Sequence, residues 1–286
     1  MYKIAVINDL SGFGKCSLTA AIPVISVMGV QPVPLPTAIL SAQTGFDSYY
    51  IDDYTDRMDK ITDEWKKMNF HPDGIYTGFL SDALQADKAI EFIETFGDKD
   101  TRILADPVMG DNGEAYPVYT ETLREKMSLL VKKATVITPN LTEAIILLCD
   151  TNEARKRWEM LEKLDRKPYI TEIEKIALDL EKKYSVDVVI TGIDLKYDDK
   201  TEMGNLICQG DDISWVTAEK IGGSYSGTGD LFASILSAGI VRGMNLNELA
   251  EKAVEFLSKG IRDALREGTD RNEGICFERY LHELAK

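Results

Sequence analysis

Residues 3–8, Lys-Ile-Ala-Val-Ile-Asn, form a short apolar run, which a glycine-containing loop and a second apolar stretch at residues 17–28 follow. The first run has the length and composition of a buried strand, and the second has those of a helix. The same alternation returns along the chain, with further predicted strands at residues 74–77, 102–105, 134–138 and 186–191. Strands that alternate with helices predict an α/β fold with a mostly parallel sheet.

A different pattern occupies the last third of the chain. Two β-rich runs at residues 204–209 and 213–218 flank Gly210-Asp211-Asp212, a segment typical of a tight turn. This pattern predicts an antiparallel hairpin at one side of the sheet. Two helices are then predicted at residues 229–243 and 246–267. Because no linker rich in Gly, Ser or Pro interrupts the chain, we expect one domain over residues 1–286.

Proline marks two irregular regions. The extended run at residues 30–35 carries prolines at alternate positions, from Pro32 to Pro36, and is expected at a sheet edge because proline donates no backbone hydrogen bond. Residues 150–183 are strongly charged and predict two solvated surface helices. We expect the break between them near Pro168, since proline does not continue a helix interior.

Composition and charge exclude several classes of function. The 286 residues carry a net charge of −15 and no basic run interleaved with aromatic residues, so nucleic acid is not expected as a partner. No apolar stretch has the length of a membrane span or of a signal peptide, and we expect a soluble, cytoplasmic protein. The four cysteines form no CxxC pair, which favours reduced thiols. The two histidines, His71 and His282, do not suggest a Ser-His-Asp mechanism.

The most informative chemical motif is Gly222-Gly223-Ser224-Tyr225-Ser226-Gly227-Thr228-Gly229-Asp230, which leads directly into an apolar helix. Glycines let backbone N–H groups converge, and the N-terminus of the following helix adds a partial positive charge. The segment can therefore form an anion site, although Gly-Thr-Gly-Asp alone is equally compatible with a helix cap. Asp230 beside an anion site can accept a proton from a substrate hydroxyl during phosphoryl transfer.

Three further polar segments follow predicted strands. Asp106-Pro107-Val108-Met109-Gly110-Asp111 offers two carboxylates that suit a hydrated divalent cation, with a turn capped by aspartates as the alternative. Thr138-Pro139-Asn140-Leu141-Thr142-Glu143 offers an amide and a carboxylate, with a simple N-cap at Asn140 as the competing explanation. Thr191 ends the next strand, where it can approach a nucleotide phosphate. Because ligands bind at the carboxyl ends of parallel strands, these segments together predict a ligand site.

Two nucleotide-binding signatures near the N-terminus are incomplete. Gly12-Phe13-Gly14-Lys15-Cys16-Ser17 resembles part of a Walker A loop, which would require Gly at Asp9 and Ser or Thr at Cys16. The same segment lacks the third glycine of a dinucleotide fingerprint, so a nicotinamide enzyme is poorly supported. We expect residues 8–14 to line a small-molecule pocket instead.

Taken together, the motifs resemble the ribokinase superfamily and, within it, the vitamin B6 branch, the pyridoxal and pyridoxamine kinases. The resemblance spans residues 4–265 and rests on the order of five segments: the Gly14 loop, Ser41-Ala42-Gln43-Thr44, the Asp106 motif, the Thr138 motif, and Gly227-Thr228-Gly229-Asp230-Leu231-Phe232. It implies a ribokinase-like three-layer α/β/α fold and a homodimer. It also implies ATP-dependent phosphorylation of the 5′-hydroxymethyl group of pyridoxal, pyridoxamine or pyridoxine, which feeds pyridoxal 5′-phosphate salvage.

The resemblance implies roles for individual residues, with ATP as phosphoryl donor, Mg²⁺ as cofactor and a monovalent cation, K⁺ or Na⁺, as an optional addition. The implied catalytic residues are Asp230 as general base and Gly227, Thr228 and Gly229 as the anion hole. The implied nucleotide contacts are Asn140, Glu143, Thr191, Gly192 and Thr228. The implied metal site comprises Asp106, Asp111, Thr138 and Glu143. The implied substrate contacts are Asp9, Cys16, Thr44, Phe79 and Asp230.

Two positions depart from the family pattern. Asp9 replaces a Ser that contacts the pyridine ring, and Gln43 replaces a His. The charge of Asp9 motivates the hypothesis that it favours a cationic substrate such as pyridoxamine. Two other functions stay open: hydroxymethylpyrimidine kinases of thiamine metabolism share the scaffold, and a non-catalytic protein that binds a nucleotide or a B6 vitamer would need the anion hole but not Asp230.

Overall fold

The computed structural model describes residues 1–197 and 200–285. The chain divides into two compact units, one formed by Met1–Leu104 with Ile221–Lys286 and the other by Ala105–Lys220. The expected single domain over residues 1–286 stays a prediction.

The elements alternate between strands and helices along much of the chain. The strands are β1 (Lys3–Phe13), β2 (Gln31–Ala42), β3 (Ile51–Asp53), β4 (Gly74–Thr77), β5 (Arg102–Ala105), β6 (Gly110–Asp111), β7 (Glu114–Ala115), β8 (Val136–Ile137), β9 (Asp187–Tyr197), β10 (Lys200–Gln209) and β11 (Asp212–Glu219). The helices are α1 (Ser17–Val27), α2 (Thr55–Lys67), α3 (Ala83–Phe96), α4 (Glu121–Val131), α5 (Leu141–Leu148), α6 (Thr151–Leu161), α7 (Arg166–Tyr184), α8 (Thr228–Val241), α9 (Leu246–Glu267) and α10 (Leu281–Leu284). The predicted bounds of β4, β5 and α9 are confirmed to the residue.

The sheet of the first unit has the strand order β5-β4-β1-β2-β3. Its central strand β1 pairs in parallel with β4 on one side and with β2 on the other. The register between β1 and β2 shifts between Asn8 and Leu10, so the strand is irregular at Asp9. Irregularities of this kind re-aim side chains and are common beside active sites. The strand also runs five residues beyond its predicted end at Asn8, because Leu10 to Phe13 continue to pair with β2.

The prolines of β2 lie in the half of the strand that has a neighbouring strand on one side only. Pro32, Pro34 and Pro36 pair with β1, while β3 pairs with Ala38, Ile39 and Leu40, beyond the prolines. The proline-containing half of β2 therefore has the edge character that the sequence predicted.

The sheet of the second unit has the order β11-β10-β9-β8. β8 and β9 are parallel, whereas β9, β10 and β11 are successively antiparallel. Gln209 pairs with Asp212, which leaves Gly210-Asp211 as a two-residue turn with Gly210 at φ +60°. The predicted hairpin is thus confirmed, as is an α/β fold with a mostly parallel sheet.

The charged region between residues 150 and 183 forms two helices, as predicted, and the break between them, at residues 162–165, lies just before the predicted position near Pro168. Pro168 is the third residue of α7, in the first turn, where backbone N–H groups have no intrahelical partner and proline costs little. The helices are also not purely solvated, because α7 buries Ile173, Ile176 and Leu180 against its own unit.

The apolar side chains at residues 4–7 of β1 and those of β4 are buried, and α8 is buried from Leu231 to Gly239, so these elements belong to the core of the first unit. Within the ranges described above, no helix combines the length and the apolar character needed to cross a bilayer.

Candidate active site

The glycine-rich motif places Asp230 in the first turn of α8. Gly227 is the N-cap residue, with φ +80° and ψ −2°, and its carbonyl accepts the backbone N–H of Leu231. A Cβ at Gly227 would lie 1.8 Å from the carbonyl oxygen of Lys15, so both the conformation and the available space require glycine. The loop at Gly227 therefore packs directly against the backbone of residues 15–16, which precede α1.

The next two residues of the motif differ in how constrained they are. Thr228 donates its hydroxyl to the carbonyl of Tyr225 at 3.0 Å, which closes the turn before the helix. Gly229 is exposed, and a Cβ there would meet no atom within 4 Å. The protein itself gives no steric reason for glycine at position 229, whereas a ligand approaching the backbone would.

Asp230 is only partly buried and is surrounded by groups from three elements. The side-chain amide of Asn8 donates to Asp230 Oδ1 at 3.2 Å, and the backbone N–H of Ser17 and the Tyr76 hydroxyl also stabilise the carboxylate. Loss of hydration, reinforced by the nearby charge of Asp9, nevertheless raises the pKa of Asp230 to about 6. Such a carboxylate is ionised at neutral pH and more basic than usual, which suits a general base. We call Asn8, Asp9, Ser17, Tyr76 and Asp230 the Asp230 cluster.

Asp9 is buried beside this base. Its Oδ1 accepts the hydroxyl of Ser17 at 2.5 Å and its Oδ2 accepts that of Ser11 at 2.8 Å. Burial raises the pKa of Asp9, and the two hydroxyls oppose that rise. Cys16 is also buried, and desolvation, together with the charges of Asp230 and Asp9, raises the pKa of its thiol to about 12. The predicted substrate contacts Asp9 and Cys16 thus lie with Asp230, and the thiol is not a nucleophile at neutral pH.

The other two predicted substrate contacts lie on loops after β2 and β4. Thr44 is exposed in a turn whose shape Gln43 holds, by accepting the N–H of Gly45 at 2.6 Å and donating to the carbonyl of Asn272 at 3.1 Å. Phe79 is half-buried, and its backbone N–H donates to Asn8 Oδ1 at 2.9 Å. Phe79 is therefore hydrogen-bonded to a member of the Asp230 cluster, whereas Gln43 stabilises the turn that contains Thr44.

A second carboxylate cluster lies in the other unit, around Glu143. Its Oε1 accepts the N–H of Met109 at 3.0 Å and its Oε2 accepts that of Asn140 at 2.9 Å. Asn140 in return accepts the N–H of Glu143 and donates its amide to the carbonyl of Gly110 at 2.8 Å. This reciprocal capping box at the start of α5 is the structural role that the sequence offered as the alternative for Asn140.

The electrostatics of this second group favour a cation. Burial raises the pKa of Glu143 well above its usual value, and the charges of Asp106 and Asp111 raise it further. The buried hydroxyl of Thr138 has no hydrogen-bond partner. Three carboxylates and an orphaned hydroxyl are oxygen donors of the kind that Mg²⁺ takes. We call Asp106, Asp111, Thr138, Asn140 and Glu143 the Glu143 cluster.

These carboxylates do not by themselves enclose an ion. In the part of the chain that the structure describes, no three His, Cys, Asp or Glu side chains are grouped closely enough to hold a metal. A cation there would draw further ligands from water and from a phosphate group, as Mg²⁺ usually does. The predicted metal site thus fits the residue types, with Asp106 and Asp111 as carboxylates that water can supplement.

Asp111 lies on a hairpin that the sequence analysis did not predict. β6 and β7 are joined by Asn112 and Gly113, both at positive φ, a two-residue turn typical of Asn-Gly. Gly113 donates its N–H to Thr142 Oγ1 at 2.8 Å, and a Cβ there would lie 2.5 Å from the Trp158 ring. The Asn-Gly pair is the signal that could have found this hairpin, and α6 contributes the ring that packs on it.

Thr191 and Gly192 lie within β9, beside Asn140, and the strand continues to Tyr197 rather than ending at Thr191 as predicted. Thr191 donates its N–H to the carbonyl of Pro139 at 2.9 Å, and Gly192 donates its N–H to Asn205 Oδ1 at 3.2 Å. Gly192 is exposed at φ +67°. These two predicted nucleotide contacts therefore lie next to the predicted contact Asn140, within one unit.

Three members of the Asp230 cluster were missed as supports of the base. Asn8 was expected only as a pocket residue, and neither Tyr76 nor the backbone of Ser17 was singled out. Asn8 is a polar residue directly after the buried apolar run at residues 4–7, which is the signal that could have identified it.

The chain is similar to proteins of known family and structure. Residues 17–274 match the family model described as phosphomethylpyrimidine kinase. The chain is 36% identical to a Bacteroides thetaiotaomicron protein that bears the provisional name phosphomethylpyrimidine kinase and was solved with pyridoxal. That match covers 100% of this chain and 96% of the other, with a TM-score of 0.86.

Of two more distant relatives, one is named for hydroxymethylpyrimidine and the other for pyridoxal. The chain is 24% identical to the hydroxymethylpyrimidine/phosphomethylpyrimidine kinase of Bacillus subtilis, over 94% of this chain and 92% of the relative. Its fold matches that of Leishmania donovani pyridoxal kinase in complex with ADP and pyridoxamine, with a TM-score of 0.80, 21% identity, and coverage of 99% and 96%. The resemblance to the ribokinase-like vitamin B6 kinases is thus supported, and the chain belongs to the phosphomethylpyrimidine kinase family.

Proposed function

We propose that this kinase transfers the γ-phosphoryl group of ATP to the 5′-hydroxymethyl group of a B6 vitamer, with Asp230 as general base. The observation that carries the proposal is the position of Asp230: a partly exposed carboxylate in the first turn of α8, with a pKa raised to about 6. Burial destabilises the charged form of this carboxylate, and a residue that served only as a helix cap would not need that destabilisation.

The residues of the Asp230 cluster account for the proton and the charge in this reaction. Asp230 takes the hydroxyl proton as the alcohol oxygen bonds to the γ-phosphorus, and the bond from that phosphorus to the bridging oxygen of ADP breaks. The backbone N–H groups of Gly227, Thr228 and Gly229 precede or open α8, where they have no intrahelical acceptor. They stabilise the negative charge of the transferring group.

The residues of the Glu143 cluster suit the nucleotide and its cation. Asp106, Asp111, Thr138 and Glu143 are assigned to Mg²⁺, which when bound neutralises phosphate charge. Asn140, Thr191 and Gly192 are assigned to the nucleotide, and a monovalent cation, K⁺ or Na⁺, would share the same oxygen donors. The buried, partnerless hydroxyl of Thr138 supports this assignment.

The choice of alcohol has two candidates. Pyridoxal in the 36% identical Bacteroides structure supports a B6 vitamer. The family description and the Bacillus subtilis relative support hydroxymethylpyrimidine, whose phosphorylation would use the same base and anion hole. Both substrates present a primary alcohol on a nitrogen heterocycle, so the chemistry at Asp230 is common to them.

The test is a substrate panel with purified protein. MgATP is supplied with pyridoxal, pyridoxamine, pyridoxine or hydroxymethylpyrimidine in turn, and ADP release is followed. We expect the highest kcat/KM with a vitamer. A preference for hydroxymethylpyrimidine would favour the second candidate, and ATP binding without turnover of any alcohol would indicate a non-catalytic binding protein.

A further inference from the structure

Asn8 stands at an unusual place in the first unit. It is the first polar side chain after the apolar run of β1, and it is fully buried, with 0% of its surface exposed. It shares a face of the sheet with Val6, whose partner on β4 is Tyr76. Tyr76 also contacts Asp230, so this face of the two strands is directed at the base.

The hydrogen bonds of Asn8 allow one orientation of its amide. Oδ1 accepts the backbone N–H of Asp9 at 3.0 Å and that of Phe79 at 2.9 Å. A flipped amide would set its NH₂ group against these two donors, so Nδ2 has to point the other way, towards Asp230 Oδ1 at 3.2 Å. The backbone of β1 and of the loop after β4 thereby determines the direction of the bond to the base.

The amide also packs closely against residue 78. A Cβ at Gly78 would lie 2.4 Å from Asn8 Nδ2 and 2.6 Å from its Cγ. The amide therefore lies directly on the backbone of residue 78, and glycine there is what makes room for it. A buried side chain with three hydrogen bonds and a close backbone contact is a rigid support.

We propose that Asn8 is the positioning residue of the base: its amide fixes the orientation of the Asp230 carboxylate and stabilises the ionised form. The inference rests on the proposed function and deepens it, since it assigns to a β1 residue the control of how readily the base accepts a proton. A donor at this position favours the charged carboxylate, which is the form that can take the substrate proton.

The other groups that face Asp230 either raise or lower its pKa. Asp9 on β1 disfavours its charge, while Tyr76 on β4 and the N–H of Ser17 at the start of α1 favour it. The thiol of Cys16 stays neutral through the physiological range. Since Asp9 lies next to Asn8 in the chain, the Asn8 amide is the group placed to offset the repulsion from Asp9.

The variant that tests this is Asn8→Asp, which keeps an acceptor for the two backbone N–H groups and replaces the donor to Asp230 with a second carboxylate. We expect the acid limb of kcat/KM for the alcohol to move up by about one pH unit or more, so that activity falls at least about fivefold at pH 6. Activity at pH 8.5 should return to within about threefold, and the Kd for ATP should change less than twofold.

Two further measurements separate positioning from stability. Gln85→Ala removes another fully buried amide, with bonds to Thr37, Asp53 and Thr55, and should lower Tm without moving the acid limb. Asn8→Ala removes the donor without adding charge, and should move the limb in the same direction by a smaller amount. An acid limb that stays in place in both Asn8 variants would overturn the proposal.

A readout without turnover distinguishes this inference from the proposed function. A carbon-13 NMR titration of the Asp230 carboxyl, assigned with Asp230→Asn, should show a higher midpoint in Asn8→Asp than in the unchanged protein. Equal midpoints would overturn the role of Asn8 even if the kinase is active. Absence of turnover with every alcohol would contradict the proposed function, while the titration would still decide whether Asn8 stabilises the carboxylate.

Discussion

Asp230 and Glu143 are both carboxylates with a raised pKa, but their hydrogen bonds differ. Both oxygens of Glu143 accept backbone N–H groups, and the side chain is buried at 4% exposure within a capping box. Asp230 is held through the side chain of Asn8 and remains partly exposed. Glu143 therefore holds the backbone of its neighbouring loops with both oxygens, whereas Asp230 keeps part of its surface available for a ligand.

The largest effect is expected for Asp230→Asn. The variant keeps the shape of the side chain but removes the proton acceptor, so kcat should fall about 100-fold or more, while the ATP Kd stays within a few-fold. Steady-state ADP release and ATP titration measure the two quantities. Near-normal turnover would show that Asp230 is not the proton acceptor.

The two carboxylates should have opposite effects on stability. Glu143→Ala leaves the N–H groups of Met109 and Asn140 without an acceptor, and the free energy of unfolding should fall by about 2–4 kcal/mol. Asp230 has a raised pKa when folded, so its charge costs stability, and this cost grows as the pH rises from about 4 to about 6.

Asp230→Asn should therefore raise the free energy of unfolding by about 1–3 kcal/mol at pH 8 and change it little at pH 4. Urea denaturation at both pH values, for both variants, measures the contrast. If Asp230→Asn destabilised the protein at pH 8 as Glu143→Ala does, the two carboxylates would have the same structural role.

The glycines beside Asp230 allow a matched test of the anion hole. At Gly229 a methyl group meets no protein atom, so Gly229→Ala should leave Tm unchanged or higher and still lower kcat/KM for ATP by about tenfold, because a phosphate approaches the backbone there. Gly227→Ala is the control for a structural glycine. Its Cβ would collide with the carbonyl of Lys15, and it should lower Tm together with activity. Unchanged kinetics in Gly229→Ala would mean that the loop is only a helix cap.

The smallest effect is expected for Asp9→Ser. Because Asp9 already accepts two serine hydroxyls, its influence on a substrate is electrostatic, and the preference for pyridoxamine over pyridoxal should fall by several-fold. The ratio of the two kcat/KM values measures it. An unchanged ratio would show that Asp9 serves the Asp230 cluster alone.

The sequence was sufficient where one local signal decides the structure. β4 is an apolar run between Asp73 and a glycine, and α9 begins with Asn245 as its cap and ends before Gly268 at φ +68°, so their bounds were predicted to the residue. Asp230, Gly227 and Glu143 could likewise be selected as candidate functional residues, because each lies at the N-terminus of a helix that the sequence predicts.

The parts that escaped prediction depend on contacts distant in sequence. The extension of β1 beyond Asn8 requires pairing with β2, and the bond from Asn8 to Asp230 joins residues 222 positions apart. The break expected near Pro168 lies a few residues earlier, at residues 162–165, because proline is tolerated in the first turn of α7. The roles of the predicted site residues stay predictions.

The most direct test of the account is the pH dependence of kcat/KM for the alcohol, measured with the unchanged protein and with the residual activity of Asp230→Asn. The substrate titrates equally in both, so it cancels in the comparison. We predict a limb with its midpoint near pH 6, falling tenfold per pH unit below it, in the unchanged protein and its absence from Asp230→Asn. A limb that persists in Asp230→Asn would contradict Asp230 as the base.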